Sequence, residues 1–447
     1  MKISPFAYFF KSEQFGFLAY SSITNSFAKL NSPLYKLLIE SKVDPILLNN
    51  IDPDTNKSLT KAQIIIEDYD VKNYIYQKRF LRNYHTYQEN TLNLTIAPTS
   101  ACNFSCPYCY EKGINPKTMT DEVIENLISF ISKSTSKQIA ITWYGGEPLL
   151  AIDIIEKILN GINSIEGKQI IHQHIVTNGY YLNEKNIEFI NHNHLKSIQV
   201  TLDGATPEFH NQRRFTKGGM GSWDMILNNL DNLLLKNSEI SVSLRCNIDV
   251  KNKNNFDTLR TDLLKRWDNN PRINIYPAIL INHNNAGDTD CIYMSSVEST
   301  NYLIEEGLKS NDLNYFNFMN EGCCATQLNS YVVGPEGELY KCWNDMGRKD
   351  KIIRYINDET ILNKELLFQF TSGPSMFEDE ECLKCPLFFV CNGGCQWMRL
   401  KNVFENDNQN YCHIAKNDIE KYLESYYKIK LNQKSEKESQ CCSVKNK

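Results

Sequence analysis

Apolar residues between positions 92 and 281 follow two alternating rhythms. Short runs rich in aliphatic and β-branched residues, at 92–98, 139–144, 170–176, 197–202, 240–248 and 273–281, read as strands. Between them, 121–134, 152–162, 183–191, 223–235 and 255–267 carry apolar residues every three to four positions and read as amphipathic helices. Strands alternating with helices predict a parallel α/β domain over residues 89–285. Six such units are too few for a closed eight-stranded barrel, so the expectation is a partial (β/α)6 TIM barrel. In these sheets function collects on the loops that follow the strands. The first such loop holds Cys102, Cys106 and Cys109, and the second holds Gly145, Gly146, Glu147 and Pro148. The third and fourth hold Thr177-Asn178-Gly179 and Asp203-Gly204.

The flanks have other rhythms. Residues 1–88 contain no cysteine; two aromatic runs, 6–10 and 15–20, flank a polar turn and predict a hairpin. Asn31-Ser-Pro-Leu34 predicts a helix start, with Leu34, Leu37, Leu38 and Ile39 at helical spacing, and 61–84 reads as a further helix. The segment is expected to be an N-terminal α+β cap or a peptide-docking domain. Beyond about residue 320 the periodicity fades and cysteines accumulate, and 286–427 is expected to be an irregular domain held by metal centres. Residues 428–447 are polar and charged and read as a disordered tail in which Cys441 and Cys442 are incidental.

Composition decides how those cysteines are read. A net charge of −5 over 447 residues gives no general attraction to nucleic acid or to an anionic membrane. Lys11 and Glu13 interrupt the apolar N-terminus before a signal-peptide core forms, and no run reaches the roughly 18–20 apolar residues of a membrane helix. The expectation is a cytoplasmic protein, whose 15 cysteines would be reduced thiols grouped for metal binding.

Three cysteines spaced C-x3-C-x2-C bind one centre at three corners. A closed structural zinc site would want a fourth ligand nearby, and none is present in this stretch. That leaves a [4Fe-4S] cluster with one iron open to an exogenous ligand. With Tyr108 just before the third cysteine and Gly145-Gly146-Glu147-Pro148 after the next strand, the chain resembles the radical S-adenosylmethionine (SAM) superfamily over about residues 92–281. The resemblance implies that the open iron is chelated by the methionyl amino and carboxylate groups of SAM, and that a 5′-deoxyadenosyl radical is generated. It also implies roles for residues. Tyr108 would contact the adenine, and Gly145 and Gly146 would let backbone approach the ligand, with Pro148 stiffening the turn. Glu147 would accept from the ammonium group, Thr177 and Asn178 would line the cofactor pocket, and Thr201 and Arg214 would hold the carboxylate or ribose. On the residues alone, Thr201 is equally a strand residue facing a neighbour and Arg214 a surface ion pair.

The later cysteines read Cys324-x12-Gly337-x4-Cys342, then Cys382-x2-Cys385-x5-Cys391-x3-Cys395, then Cys412. This looks like the SPASM extension of the same superfamily, which carries two auxiliary [4Fe-4S] clusters. The resemblance assigns Cys324, Cys342 and Cys395 to the first, and Cys382, Cys385, Cys391 and Cys412 to the second. Cys323 is the only nearby fourth ligand for the first cluster, and adjacent side chains in extended backbone point opposite ways. Two zinc sites are the bland alternative. Sulfatase-maturing relatives carry an aspartate directly after the cysteine of the Gly-x4-Cys element, where it serves as base. Here Trp343 occupies that place, with Asp345 a weak candidate two residues on. The implied activity is that of a radical SAM oxidoreductase, a maturase that abstracts hydrogen from a ribosomally made precursor peptide to give a cross-link or other modification. An electron donor such as flavodoxin or ferredoxin would serve it. The alternatives are sulfatase maturation (formylglycine formation) and a non-catalytic, metal-stapled peptide-binding protein. Epimerisation would need a hydrogen donor, for which Cys246 and Cys291 are the unassigned thiols, more simply read as core residues.

Overall fold

The computed structural model describes residues 1–281, 291–310, 323–412 and 414–444; the domain boundary expected at 285/286 lies outside the described residues. The chain divides into two compact units. One comprises Met1–Tyr87, Ser295–Cys323 and Ser372–Lys447; the other comprises Gln88–Met294 and Cys324–Thr371.

In the first unit the chain begins with β1 (Lys2–Ile3), β2 (Ala7–Ser12), β3 (Gly16–Ser21), β4 (Ser26–Leu30) and, after two helices, β5 (Ile65–Ile66). The predicted hairpin is there as β2–β3, pairing Phe9 with Ala19 and Phe10 with Leu18. It gains β4 as a third antiparallel strand, reached through a turn in which Asn25 takes φ +48°, a left-handed conformation that asparagine tolerates. The helix predicted over 61–84 is broken. Helix Pro53–Lys61 stops, Gln63 turns left-handed, and Ile64, Ile65 and Ile66 are buried before helix Asp68–Tyr87 begins. Three consecutive β-branched residues favour extended chain, and β5 pairs antiparallel with β1.

The expected tail is also corrected. Helix Ile419–Val444 runs through most of it, and residues 445–447 lie outside the described residues. Tyr422, Leu423, Tyr426 and Ile429 form one helical stripe, and the last of these falls past the expected boundary. The stripe packs in a core with Phe10, Leu18 and Tyr20 of the N-terminal sheet and with Leu387 and Val390. Ser12 Oγ donates to Glu424 Oε1 at 2.6 Å, and Asn25 Nδ2 donates to the Tyr426 hydroxyl at 3.0 Å. Residues 1–87 are therefore not self-contained: their apolar face is completed by the C-terminal segment.

The second unit is built on a nine-stranded sheet. Its strands are β6 (Thr91–Ile96), β7 (Gln138–Trp143), β8 (Gln169–Thr177), β9 (Ser197–Thr201), β10 (Ser241–Ile248), β11 (Ile273–Ile279), β12 (Ser330–Val333), β13 (Glu338–Tyr340) and β14 (Arg354–Tyr355). Strands β6 to β11 lie side by side in sequence order and are parallel. Helices Asp121–Lys133, Ile152–Asn163, Glu184–His192, Trp223–Lys236 and Phe256–Arg266 alternate with them, giving the expected partial (β/α)6 barrel. Each buries an apolar stripe, as Ile155, Ile158, Leu159 and Ile162 show. The extra helix Pro207–Arg213 was not predicted; Thr206 caps it by accepting from the Phe209 N–H, and proline occupies its first turn.

The cysteine-rich C-terminal region is not one domain. Its first part joins the barrel sheet, because β6 has an open edge on which β12 lies parallel, pairing Val332 with Thr95 and Val333 with Ile96. Strands β13 and β14 extend that edge antiparallel. Among the described residues no helix is long and apolar enough to cross a membrane.

Candidate functional site

Strand β6 ends at Ile96, and the three-cysteine loop leaves from its C-terminal end. The loop has no regular element of its own and is held from two sides. The Ser105 N–H donates to Phe215 O at 3.0 Å and the Lys217 N–H to Asn103 O at 2.8 Å, tying it to the chain after helix Pro207–Arg213. From β7, Gly146 N–H donates to Thr99 O at 3.1 Å and Glu147 N–H to Ala101 O at 2.9 Å. This packing defines the role of the glycines. Gly145 has φ +111°, and a Cβ on it would overlap the Thr99 carbonyl; one on Gly146 would overlap Ala101 O. They let one loop backbone lie against the other.

Glu147 is fully buried and joins three loops. Its Oε1 accepts from Thr177 Oγ1 at 2.6 Å and from Leu149 N at 3.1 Å, and its Oε2 from Asn178 N at 2.7 Å. Burial raises its pKa and these hydrogen bonds pull the other way. Pro148 follows within the same buried turn. Asn178 in turn donates from Nδ2 to Asn103 Oδ1 at 2.8 Å, inside the cysteine loop.

On the opposite side stands a charged cradle. Arg214 is buried, not a surface residue, and its Nη1 donates to the Tyr108 hydroxyl at 2.8 Å; that hydroxyl donates to Asp203 Oδ2. Arg213 lies 5.4 Å from the Tyr108 ring centroid and pairs with the buried Asp249 at 3.1 Å. His210 is buried and its pKa is held well below the usual imidazole range, first by burial and then by Arg214 and Arg213. It is neutral: Nδ1 accepts from Asp203 N at 3.2 Å, Nε2 donates to Ser222 Oγ at 3.0 Å, and Ser222 donates to Arg214 O at 2.8 Å. That relay fixes the backbone of Arg214. Thr201, at the end of β9, is buried and faces Arg245 across the β9–β10 register.

Partial burial pushes the Cys102 thiol up to about 11 and raises Cys106 as well, whereas Cys109 is exposed. Arg214 opposes this at Cys102 and Cys106. Nearby, burial raises the Glu111 carboxyl to about 7. The Tyr110 and Tyr144 hydroxyls are hydrogen-bonded, and Tyr144 packs on Trp343 with ring centroids 5.2 Å apart. Asp345 is 1% exposed, whereas Trp343 is 44% exposed.

Among the described residues no three His, Cys, Asp or Glu side chains converge on a single-ion position. The fit to a cluster and SAM rests on the donor set. Three thiols sit on one loop beside a guanidinium, and Arg213 Nε and Nη2, Arg214 Nε and Asn103 Nδ2 are buried without hydrogen-bond partners among the described residues. Such N–H groups suit a carboxylate or ribose oxygen. Asp203, His210, Arg213 and Asp249 had no assigned role from the sequence; the one signal was that Asp203 sits directly after β9.

The first unit holds a second constellation. Cys382, Cys385, Cys391 and Cys412 line one cleft, with apolar walls from Met376, Leu387 and Phe388 and with Lys416 also lining it. Gly394, at φ +78°, lets Tyr411 O come so close that a Cβ would overlap it, which brings Cys412 to the cleft. Cys324 lies on the short turn Cys324–Thr326, Cys342 is buried after β13, Cys395 precedes helix Gln396–Phe404, and Cys323 is exposed. Cys246 and Cys291 are both buried.

A parallel partial barrel with three thiols and a polar cradle at the strand ends is the arrangement of a radical SAM enzyme, and residues 96–261 match the family model described as the Radical SAM superfamily. The chain is similar to the radical SAM cyclopropyl synthase TigE of Paramaledivibacter caminithermalis, at 22% identity over 88% of this chain and 89% of the relative. It is also similar to a cysteine-type anaerobic sulfatase-maturating enzyme of Clostridium perfringens, at 24% identity over 74% and 95%. The solved structure titled native anSMEcpe with bound AdoMet and Cp18Cys peptide shares the fold, with TM-score 0.61 at 20% identity, over 76% of this chain and 98% of that one.

Proposed function

We propose that this chain is a radical SAM/SPASM peptide maturase, which removes hydrogen from a residue of a ribosomally made precursor peptide and converts it to a cross-link or another modification. The observation that carries this reading is the pairing of Cys102, Cys106 and Cys109 with the buried Arg214–Tyr108–Asp203 cradle, in a chain that also holds the cleft of Cys382, Cys385, Cys391 and Cys412. A bound cluster and SAM would supply one electron and a carbon-centred radical able to abstract hydrogen. The protein's part is positioning. The three thiolates would hold the cluster, the Arg213 and Arg214 N–H groups would orient SAM, and the Glu147 hydrogen bonds would keep both loops in place. The four-cysteine cleft would hold one auxiliary cluster, and the resemblance to the SPASM extension implies another. A peptide substrate is supported by the peptide bound in the anSMEcpe structure, and a small electron-transfer protein such as flavodoxin or ferredoxin would supply the reducing electron.

Sulfatase maturation is the second reading, favoured by the sulfatase-maturating relative. Against it stand Trp343 directly after Cys342, which cannot act as a base, and the burial of Asp345. Three measurements separate the readings. Anaerobic reconstitution should give about twelve irons per chain; zinc instead of iron would sink the enzyme reading. SAM should be cleaved to 5′-deoxyadenosine, and Cys102→Ala should abolish this. A co-expressed precursor peptide should lose hydrogen by mass spectrometry without labelling by a carbonyl-reactive probe, which would instead mark formylglycine.

A further inference from the structure

The four-cysteine cleft is apolar on most of its wall, with the cation Lys416 lining it, and two further cations, Arg399 and Lys78, are built close to its cysteines. Arg399 is almost fully buried, and its Nη2 donates to Cys382 Sγ at 3.3 Å and to Gly393 O at 2.8 Å. Its Nη1 pairs with Asp379 Oδ2 at 2.5 Å, and the guanidinium lies 4.2 Å from the Tyr411 ring centroid. Tyr411 itself donates to the same Asp379 oxygen at 2.9 Å. The group is held from four sides. Lys78 arrives from helix Asp68–Tyr87 and donates to Phe389 O at 3.0 Å, two positions before Cys391 in the chain. At Cys391 the Gly393 N–H also points to the sulfur, at 3.3 Å.

A cluster held by four thiolates is anionic, and reduction by one electron makes it more so. Cations and N–H···S hydrogen bonds in a dry pocket favour the reduced form and raise the potential. Asp379 offsets part of the Arg399 charge, but it is the Arg399 Nη2 that meets the Cys382 sulfur, at 3.3 Å. We propose that Arg399 and Lys78 set the reduction potential of the cluster bound by Cys382, Cys385, Cys391 and Cys412, holding it high enough for this centre to accept an electron. The inference rests on the cluster reading of that cleft given above, and assigns Lys78, from the N-terminal segment, a place beside a metal centre that no cysteine motif marks.

The test is a potentiometric titration followed by electron paramagnetic resonance. It uses the full-length chain with Cys102→Ala, Cys106→Ala and Cys109→Ala, which removes the signal of the first centre. Arg399→Gln and Lys78→Met should each cut the reduced fraction at a fixed potential about tenfold, equivalent to about 59 mV for a one-electron couple. Arg399→Lys, which keeps the charge and loses the fork, should fall between. A merely structural role would lower iron content without moving the midpoint of the clusters that load. Unchanged midpoints in all variants that load iron would overturn the proposal; if Arg399→Gln does not load, Lys78→Met and Arg399→Lys decide it. If instead Cys382→Ala leaves iron content and signal unchanged, the cluster reading of the cleft is what fails.

Discussion

At the scale of single residues, the site depends on groups whose chemistry the sequence named but whose partners it did not. Glu147 is the clearest case. It was expected to meet the ammonium of SAM, and its two oxygens already accept three hydrogen bonds from Thr177, Leu149 and Asn178. A Glu147→Gln change places an amide donor against donors in either orientation. It should cost about 1–3 kcal/mol, measured by denaturant unfolding, and should weaken SAM binding, measured by calorimetry. Unchanged stability would mean that these bonds do not hold the loops. Arg214 shows the opposite case, for the sequence marked it and left a surface ion pair open, and its burial against Tyr108 excludes the surface reading.

At the scale of elements, the cysteine loop is an irregular segment whose charge state is set by its surroundings. The part-buried thiols of Cys102 and Cys106 are raised above their ordinary value of 9.0, Cys102 to about 11, mainly by desolvation. In the apo fold they therefore bind protons more tightly than in the unfolded chain. Their contribution to apo stability is present below pH 9 and lost as pH rises through the folded values. Cluster loading runs the other way, since thiolates are the ligands and protons must leave. Iron uptake in anaerobic reconstitution should rise between pH 7 and pH 9 while the apo melting temperature falls above pH 9. Uptake independent of pH would contradict the raised values of Cys102 and Cys106. Strands β6 to β11 and their helices were legible because each carries its own period. Helix Pro207–Arg213 and β12 were not, since one is short and the other is defined by the open edge of β6.

At the scale of the whole molecule, the N-terminal segment and the C-terminal helix share one core. Phe10, Leu18 and Tyr20 pack with Tyr422, Leu423, Tyr426 and Ile429, and with the Leu387 and Val390 that flank Cys385 and Cys391. Deleting residues 1–87 would expose that face, at about 1.5–3 kcal/mol for each large apolar side chain uncovered. The truncated chain should aggregate or lose the iron of the four-cysteine cleft, measured by size-exclusion chromatography and iron analysis. A monodisperse product with full iron content would show that the segment is dispensable to this unit. What the sequence by itself determined was the alternation of strands and helices, the parallel sheet, and the residue types of both cysteine constellations, because periodicity and ligand spacing are local properties of the chain. Only the tertiary structure decided that the glycines let two loops pack together, that the late segment Cys324–Thr371 extends the barrel sheet, and that Lys78 reaches the Phe389 carbonyl. These are contacts between residues tens to hundreds of positions apart, and nothing in a local pattern records which distant face a side chain will meet.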